Sequence, residues 1–359
     1  MGDIFLNFQD AYISEMGDMF VSSNGCNGLF KINDGNNSFI GRFSNGLTDV
    51  QYLHKAVLKR KNTLFFVPTF GNVIDTYCIE SGKFGNVCFT ELNNKWTTTN
   101  VVINDDILFL PRNLEDYSFT FNMLKGEYKR IEWLEEELKK ILKENPNAEL
   151  YYATYYEGKV YAPIRSGNGI LKIDLNSEKI FVLKPDIGNR NMYTIDINNG
   201  MAWITQEDKN SVLTVDIERN VWNELFIDKD IQDTFIPYNK IFFVADKAVI
   251  VSRMSGSLYV VDKDTFEYKK ITLDGEIEDK NMASTIWFYG GRTEGNKLIL
   301  YPSRVDKCVE LDVDNCEVHY MNTGNISYGN IINYNDNILY ENRLIGIQDL
   351  INNINIIKI

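Results

Sequence analysis

The sequence predicts an all-β fold, a β-propeller of four-stranded blades, and three observations carry that prediction. A unit of four short apolar stretches separated by turn residues returns roughly every 40 to 50 residues. Aromatic residues make up 13% of the 359 positions, with 21 Phe and 20 Tyr, and such side chains suit a pleated surface. Each unit is also too small to bury its own two faces, so the copies must pack on one another.

Residues 150–185, LYYATYYEGKVYAPIRSGNGILKIDLNSEKIFVLKP, show the unit most clearly. Leu150 to Tyr156 ends at a Glu-Gly turn, Lys159 to Ile164 at Ser-Gly-Asn-Gly, and Ile170 to Asp174 at Asn-Ser-Glu; Ile180 to Leu183 completes a four-stranded meander. Copies follow at 192–227, 238–273 and 285–322, two more begin upstream at His54 and Thr99, and the first complete one begins at Asp10. Seven full units are therefore present. The N-terminal DIFLNF, residues 3–8, reads as a lone strand, and residues from about 327 to 359 read as three strands of one more unit. Strands from both ends joined in one blade would close the ring and remove its open edges. The expectation is one propeller domain over residues 1–359 with eight blades. Seven is the alternative, if the terminal strands pad existing blades.

Asp174, Asp216, Asp262 and Asp312 each close a third strand. An Asp at the first position of a β-turn caps its own backbone, so these four are assigned a structural part. One segment breaks the pattern. From Trp133 to Pro146, WLEEELKKILKENP places Leu134, Leu138, Ile141 and Leu142 on one helical stripe. Glu135–Lys139 and Glu136–Lys140 are spaced for i,i+4 pairs, and Pro146 stops the helix. It is expected to lie over the ring, or to serve as a partial lid or a partner-docking element.

The formal net charge of −13 disfavours general binding to nucleic acid or acidic membranes, and it equally serves solubility. The N-terminus lacks the pattern of a signal peptide, and no apolar run approaches membrane-spanning length. Five cysteines (Cys26, Cys78, Cys88, Cys308, Cys316), with no CxxC spacing, fit a cytoplasmic protein with reduced thiols.

With its third strands ending in an Asp-x-x turn, the unit resembles the kelch-like and quinoprotein-like class of bacterial β-propellers, over essentially the whole chain. The resemblance implies architecture and no specific enzyme family. The repeated Gly-Gly of true kelch repeats is missing, since Gly290–Gly291 occurs once, and the Gly-His…Trp-Asp signature of WD40 blades and the sialidase box are absent.

In such a ring the first strand of each blade lines the central channel, and the loops after strand two share one face with the connections between blades. The ends of strand two carry a recurring Pro/Arg position: Pro68, Pro111, Pro163 and Pro302, and Arg112, Arg165, Arg253, Arg304 and Arg343, with Gln206 in the fifth unit. Proline there ends ladder pairing. Guanidinium groups pointed at a common axis would clamp a carboxylate, phosphate or sulfate bidentately. The competing expectation is that each Arg pairs with a nearby acid such as Glu115, Asp116, Asp306 or Glu341 and bolts blades together. Tyr151, Tyr152, Tyr155, Tyr156, Trp203, Trp287 and Tyr289 are interblade core or stacking surface at the mouth. Of the two histidines, His54 begins an inner strand and is a candidate to reach the axis, whereas His319 falls on an outer strand. No metal-ligand spacing, P-loop, GxGxxG or nucleophile elbow is present, so no metal, cofactor or catalytic set is predicted. The sequence thus predicts a binding or scaffold propeller. Arg112, Arg165, Gln206, Arg253, Arg304 and Arg343 would face a small anionic ligand, a glycan or a partner peptide. The alternative is a carbohydrate- or carboxylate-active lyase or hydrolase using the same face.

Overall fold

In the computed structural model, described over residues 4–24, 27–43, 54–69, 71–91, 98–228, 235–273, 277 and 286–326, seven antiparallel sheets follow one another along the chain. They span Ala11–Gly41, His54–Cys88, Thr98–Arg130, Glu149–Leu183, Met192–Leu225, Tyr238–Thr272 and Phe288–Asn322, here blades 1 to 7. In each, sequential strands are hydrogen-bonded neighbours. The sequence units map onto the blades one for one. Turn chemistry explains the hairpins: Glu157–Gly158 and Asn199–Gly200 both have positive φ at their two residues, as a tight hairpin turn requires. The four turn aspartates act as expected. Asp174 accepts the N–H groups of Asn176 and Ser177 at 3.0 and 3.1 Å, and Asp216, Asp262 and Asp312 repeat the arrangement.

Burial follows position in the blade. The second strand is buried almost end to end, as in Lys247–Ser252, while the outermost strand, as in Tyr268–Thr272, lies in solvent. Apolar side chains therefore gather between blades, and seven interblade cores result among the described residues. This corrects the expectation of eight blades. Leu6, Phe8 and Ala11 pack against Ile299, Tyr301 and Cys308, so blade 7 meets blade 1 directly and no gap is left for another blade. Phe8 N–H donates to the Pro302 carbonyl at 3.2 Å, and Ile4–Phe5 pairs with Asn325–Ile326 outside the blades. Gly290 permits this closure, because a Cβ there would collide with the Gln9 carbonyl. The C-terminal strands expected over about 327–359 lie outside the described residues.

The helix α1 (Glu132–Glu144) connects blades 3 and 4. Leu134 and Leu138 enter the core between those blades, with Trp133, Ile141 and Leu142 partly buried beside them. Glu135 departs from its expected surface pairing with Lys139. It is 2% exposed, bonds Arg130 at 2.6 Å and accepts the Ser118 N–H at 3.2 Å, so it ties the helix to blade 3. The apolar stripe drew Glu135 inward, where a buried carboxylate needs a partner.

His54 does not reach the axis. It is buried between blades 1 and 2, where Nδ1 lies 2.6 Å from Ser22 Oγ and Nε2 lies 3.0 Å from Asp75 Oδ2. One neutral tautomer satisfies both contacts, with Nε2–H donating to Asp75 and Nδ1 accepting from Ser22.

Candidate functional site

Five of the seven inner strands, those of blades 2, 4, 5, 6 and 7, share an irregularity that builds the channel mouth. In blade 2, His54 opposes Pro68 but Ala56 opposes Val67, so Lys55 is an extra residue without an opposite number. Blade 7 repeats this at Tyr289, blade 6 at Asn239, and blade 5 fits Tyr193 and Thr194 against Thr205 alone. In blade 4 the inner strand divides into Glu149–Leu150 and Thr154–Tyr156, and residues 151–153 face only 162 and 163. Pro163, which has no N–H, lies opposite that gap. One extra residue in a ladder is a β-bulge, which re-aims its side chain. Here the bulges deliver Lys55, Tyr151, Tyr152, Tyr193 and Tyr289 to one cavity of about 280 Å³, completed by Arg112 from the end of a second strand.

The electrostatics of this mouth centre on Lys55. Its ammonium group donates to the Tyr151 carbonyl at 3.2 Å and the Thr99 hydroxyl at 3.4 Å and lies over the Tyr152 ring at 4.7 Å. None of these is a carboxylate. Burial first, then repulsion from Lys240 and Arg112, brings its pKa down to about 7. Arg112 stacks on Tyr151 at 3.7 Å and has Glu149 at 3.8 Å, and burial lowers its proton affinity. The Tyr152 hydroxyl is pushed well up by burial and by neighbouring Tyr193.

The other candidates divide. Arg165 bonds Glu149 at 3.0 Å and Glu207 at 2.5 Å, touches the Tyr151 hydroxyl, and so links blades 4 and 5. Its acids are ones the sequence did not point to. Gln206 is fully buried and donates to Ser211 Oγ at 2.6 Å, within blade 5. Arg253 is half-buried and near enough to favour the ionised form of Tyr152. Arg304 is half-buried, its N–H directed at the Trp287 carbonyl. Arg343 lies outside the described residues. Of the aromatic candidates, Tyr151, Tyr152 and Tyr289 reach the mouth, whereas Trp203 is core and Tyr155 is exposed.

Sequence reasoning missed Lys55 and Tyr193, together with a deeper set (Asp10, Asp196, Lys240 and Arg292) that lines a wider cavity of about 480 Å³ further along the inner strands. The available signal was a charged residue within the inner strands of blades 5, 6 and 7, as at Asp196, Lys240 and Arg292; Lys55 lies in a strand already rich in charge. Among the described residues no group of three or more His, Cys, Asp or Glu is placed to hold a metal, and no helix is long and apolar enough to cross a membrane.

No protein-family model and no curated protein matches the chain. Solved structures do resemble it, and they are β-propellers. Virginiamycin B lyase from Staphylococcus aureus aligns over 84% of this chain and 95% of its own, at 12% identity and a TM-score of 0.61. The extracellular domain of the hybrid two component system BT4673 from B. thetaiotaomicron aligns over 85% of this chain at 12% identity and a TM-score of 0.59, and the alignment spans 38% of that longer chain. A chain of the mitotic checkpoint complex aligns over 84% of this chain and 89% of its own, at 9% identity and a TM-score of 0.56. At these identities the likeness establishes the propeller fold, a frame that hosts a lyase, an extracellular domain of a two component system and a member of a protein complex alike.

Proposed function

We propose that the protein is a ligand-binding propeller whose channel mouth holds a small anionic molecule with a ring, such as a uronic acid or an aromatic carboxylate. One observation carries the reading: Lys55, half-buried at the cavity wall, has neutral partners and two repelling cations nearby, so the site lacks one negative charge. A bound anion would supply it. Arg112 gives a second cation close by, and Tyr151, Tyr152, Tyr193 and Tyr289 offer ring faces suited to a sugar or aromatic ring. The cavity suits a single ring, being near the lower end of small-molecule sites. Arg253 and Arg304 fit the rim of this site, while Arg165 and Gln206 act through the support they give to Glu149, Tyr151 and blade 5.

The test is calorimetric titration with glucuronate, 4-hydroxybenzoate and inorganic phosphate, using wild type, Lys55→Met and Arg112→Ala. The ring acids should bind more tightly than phosphate, and Lys55→Met should weaken them by about tenfold or more. Equal binding to wild type and Lys55→Met would overturn the reading. A second reading, an enzyme on the same face, is favoured by Lys55 itself, since an amine with a pKa of about 7 is suited to moving protons. Turnover of a bound ring acid, lost in Lys55→Met, would separate catalysis from binding alone.

A further inference from the structure

We propose that the deeper, wider part of the channel is a second site that binds a free α-amino acid, or a closely similar molecule carrying both an ammonium and a carboxylate group. This goes beyond the mouth site and rests on a different cavity, with Lys240 lining it and acting on Lys55 only at a distance. Two carboxylates are fixed at the cavity wall on nearly opposite sides of the ring. Asp10, leading into blade 1, accepts the N–H groups of Val57 and Ala11 at 2.8 and 2.9 Å. Asp196, in blade 5, accepts the Ile197 N–H at 2.9 Å and the Thr154 hydroxyl at 3.4 Å. Asp10 is held by backbone donors and Asp196 by a backbone and a hydroxyl donor, and neither is within 4 Å of a cation among the described residues.

Two cations line the same cavity. Lys240 lies over its neighbour Phe242 at 4.9 Å, and neither Lys240 nor Arg292 makes an ion pair or a side-chain hydrogen bond among the described residues. Their charge is nonetheless felt by Asp10, whose carboxyl is raised by burial and drawn back by both. The four groups come from blades 1, 5, 6 and 7, and the rigid ring holds them apart around space for a molecule.

The charge pattern selects the ligand. A simple anion would satisfy Lys240 and Arg292 but meet two carboxylates, and a simple cation would meet the converse. A molecule carrying both charges satisfies this pattern, the carboxylate taking Arg292 and Lys240 and the ammonium taking Asp196, in the blade next to Lys240. Phe242, Phe243 and Tyr12 supply apolar wall for a side chain.

The experiment is calorimetric titration of the full chain with each of the common L-amino acids at millimolar concentration, then with the N-acetyl and methyl ester forms of those that bind. At least one free amino acid should bind, and blocking either charged group should weaken it by about tenfold or more. Asp196→Asn keeps an oxygen for Ile197 and Thr154 and removes only the charge; it and Lys240→Met should each lose about tenfold or more in affinity. Lys55→Met, at the mouth, should retain amino-acid binding, so failure of the mouth site and failure of this one are distinguishable. Absence of binding by every free amino acid, equal binding of the blocked forms, or unchanged affinity in both Asp196→Asn and Lys240→Met would overturn the proposal.

Discussion

Replacing His54 by Phe tests what holds the first two blades together. Ser22, His54 and Asp75 are 4%, 3% and 0% exposed, so each polar contact among them is made out of water. Phe would keep the aromatic packing of the imidazole on Phe43 and Phe66, now at 4.6 and 5.5 Å between ring centres, and would remove only the polar contacts. Losing the Ser22 bond should cost about 1 kcal/mol, and removing a partner from a buried carboxylate about 2 kcal/mol more. An expected loss of about 3 kcal/mol, against an unfolding entropy of about 2.1 cal/mol/K per residue, lowers the melting temperature by about 4 °C. Equilibrium urea unfolding and calorimetry of wild type, His54→Phe and His54→Gln provide the measurement. The Gln amide can still donate toward Asp75, so this variant should fall between the other two. If His54→Phe unfolds within about 0.5 kcal/mol of wild type, the buried relay contributes no net stability and the reasoning is wrong.

Further outcomes follow from the same geometry. Lys55 is charged below about pH 7, and a bound anion favours that charge. Ring-acid affinity should therefore be level below pH 7 and fall by up to about tenfold per unit above it, as titrations in a pH series would record. In the deeper site Asp10 is uncharged below about pH 6 and is faced by Lys240, Arg292 and, across the channel, Asp196. Once ionised, Asp10 competes with the ligand carboxylate for Lys240 and Arg292, so amino-acid binding should weaken as pH rises through about 6, with proton uptake on binding measurable by calorimetry in buffers of different ionisation enthalpy. Glu135→Ala should cost about 2 kcal/mol in urea unfolding by stripping Arg130 and Ser118 of their partner, whereas Lys139→Ala should change stability by less than about 0.5 kcal/mol. Gly290→Ala should destabilise by about 2 kcal/mol or more, because its new methyl group meets backbone where the ring closes.

The blades were legible in the sequence because each strand's apolar pattern and each turn's chemistry are local. Asn199–Gly200 and the capping Asp174 need only their immediate neighbours to do what they do. Blade number was not local. The period makes the terminal strands one more unit, whereas the closing contact sets Phe8 against Tyr301, a pairing that no period along the chain reveals. The site divides in the same way. The recurring Pro/Arg position includes Arg112, which lines the mouth cavity, but whether a given Arg is committed to acids depends on its neighbouring blade. Arg165 is held by Glu207, which belongs to the next unit. Lys55 was hidden because a bulge adds one residue without disturbing the apolar pattern on either side.

The repeated bulge has an evolutionary consequence. A residue that belongs to no strand pair can be exchanged while the ladder before and after it stays in register, so the ring separates the positions that line the mouth cavity from those that maintain the frame. Lys55, Tyr193 and Tyr289 occupy such positions in three different blades, with Tyr151 and Tyr152 in a fourth. Relatives of this protein can therefore diverge in what they recognise through a few independent single-residue changes, each tried without re-solving the fold. A library randomised at those positions would explore ligand preference with little expected loss of folded protein.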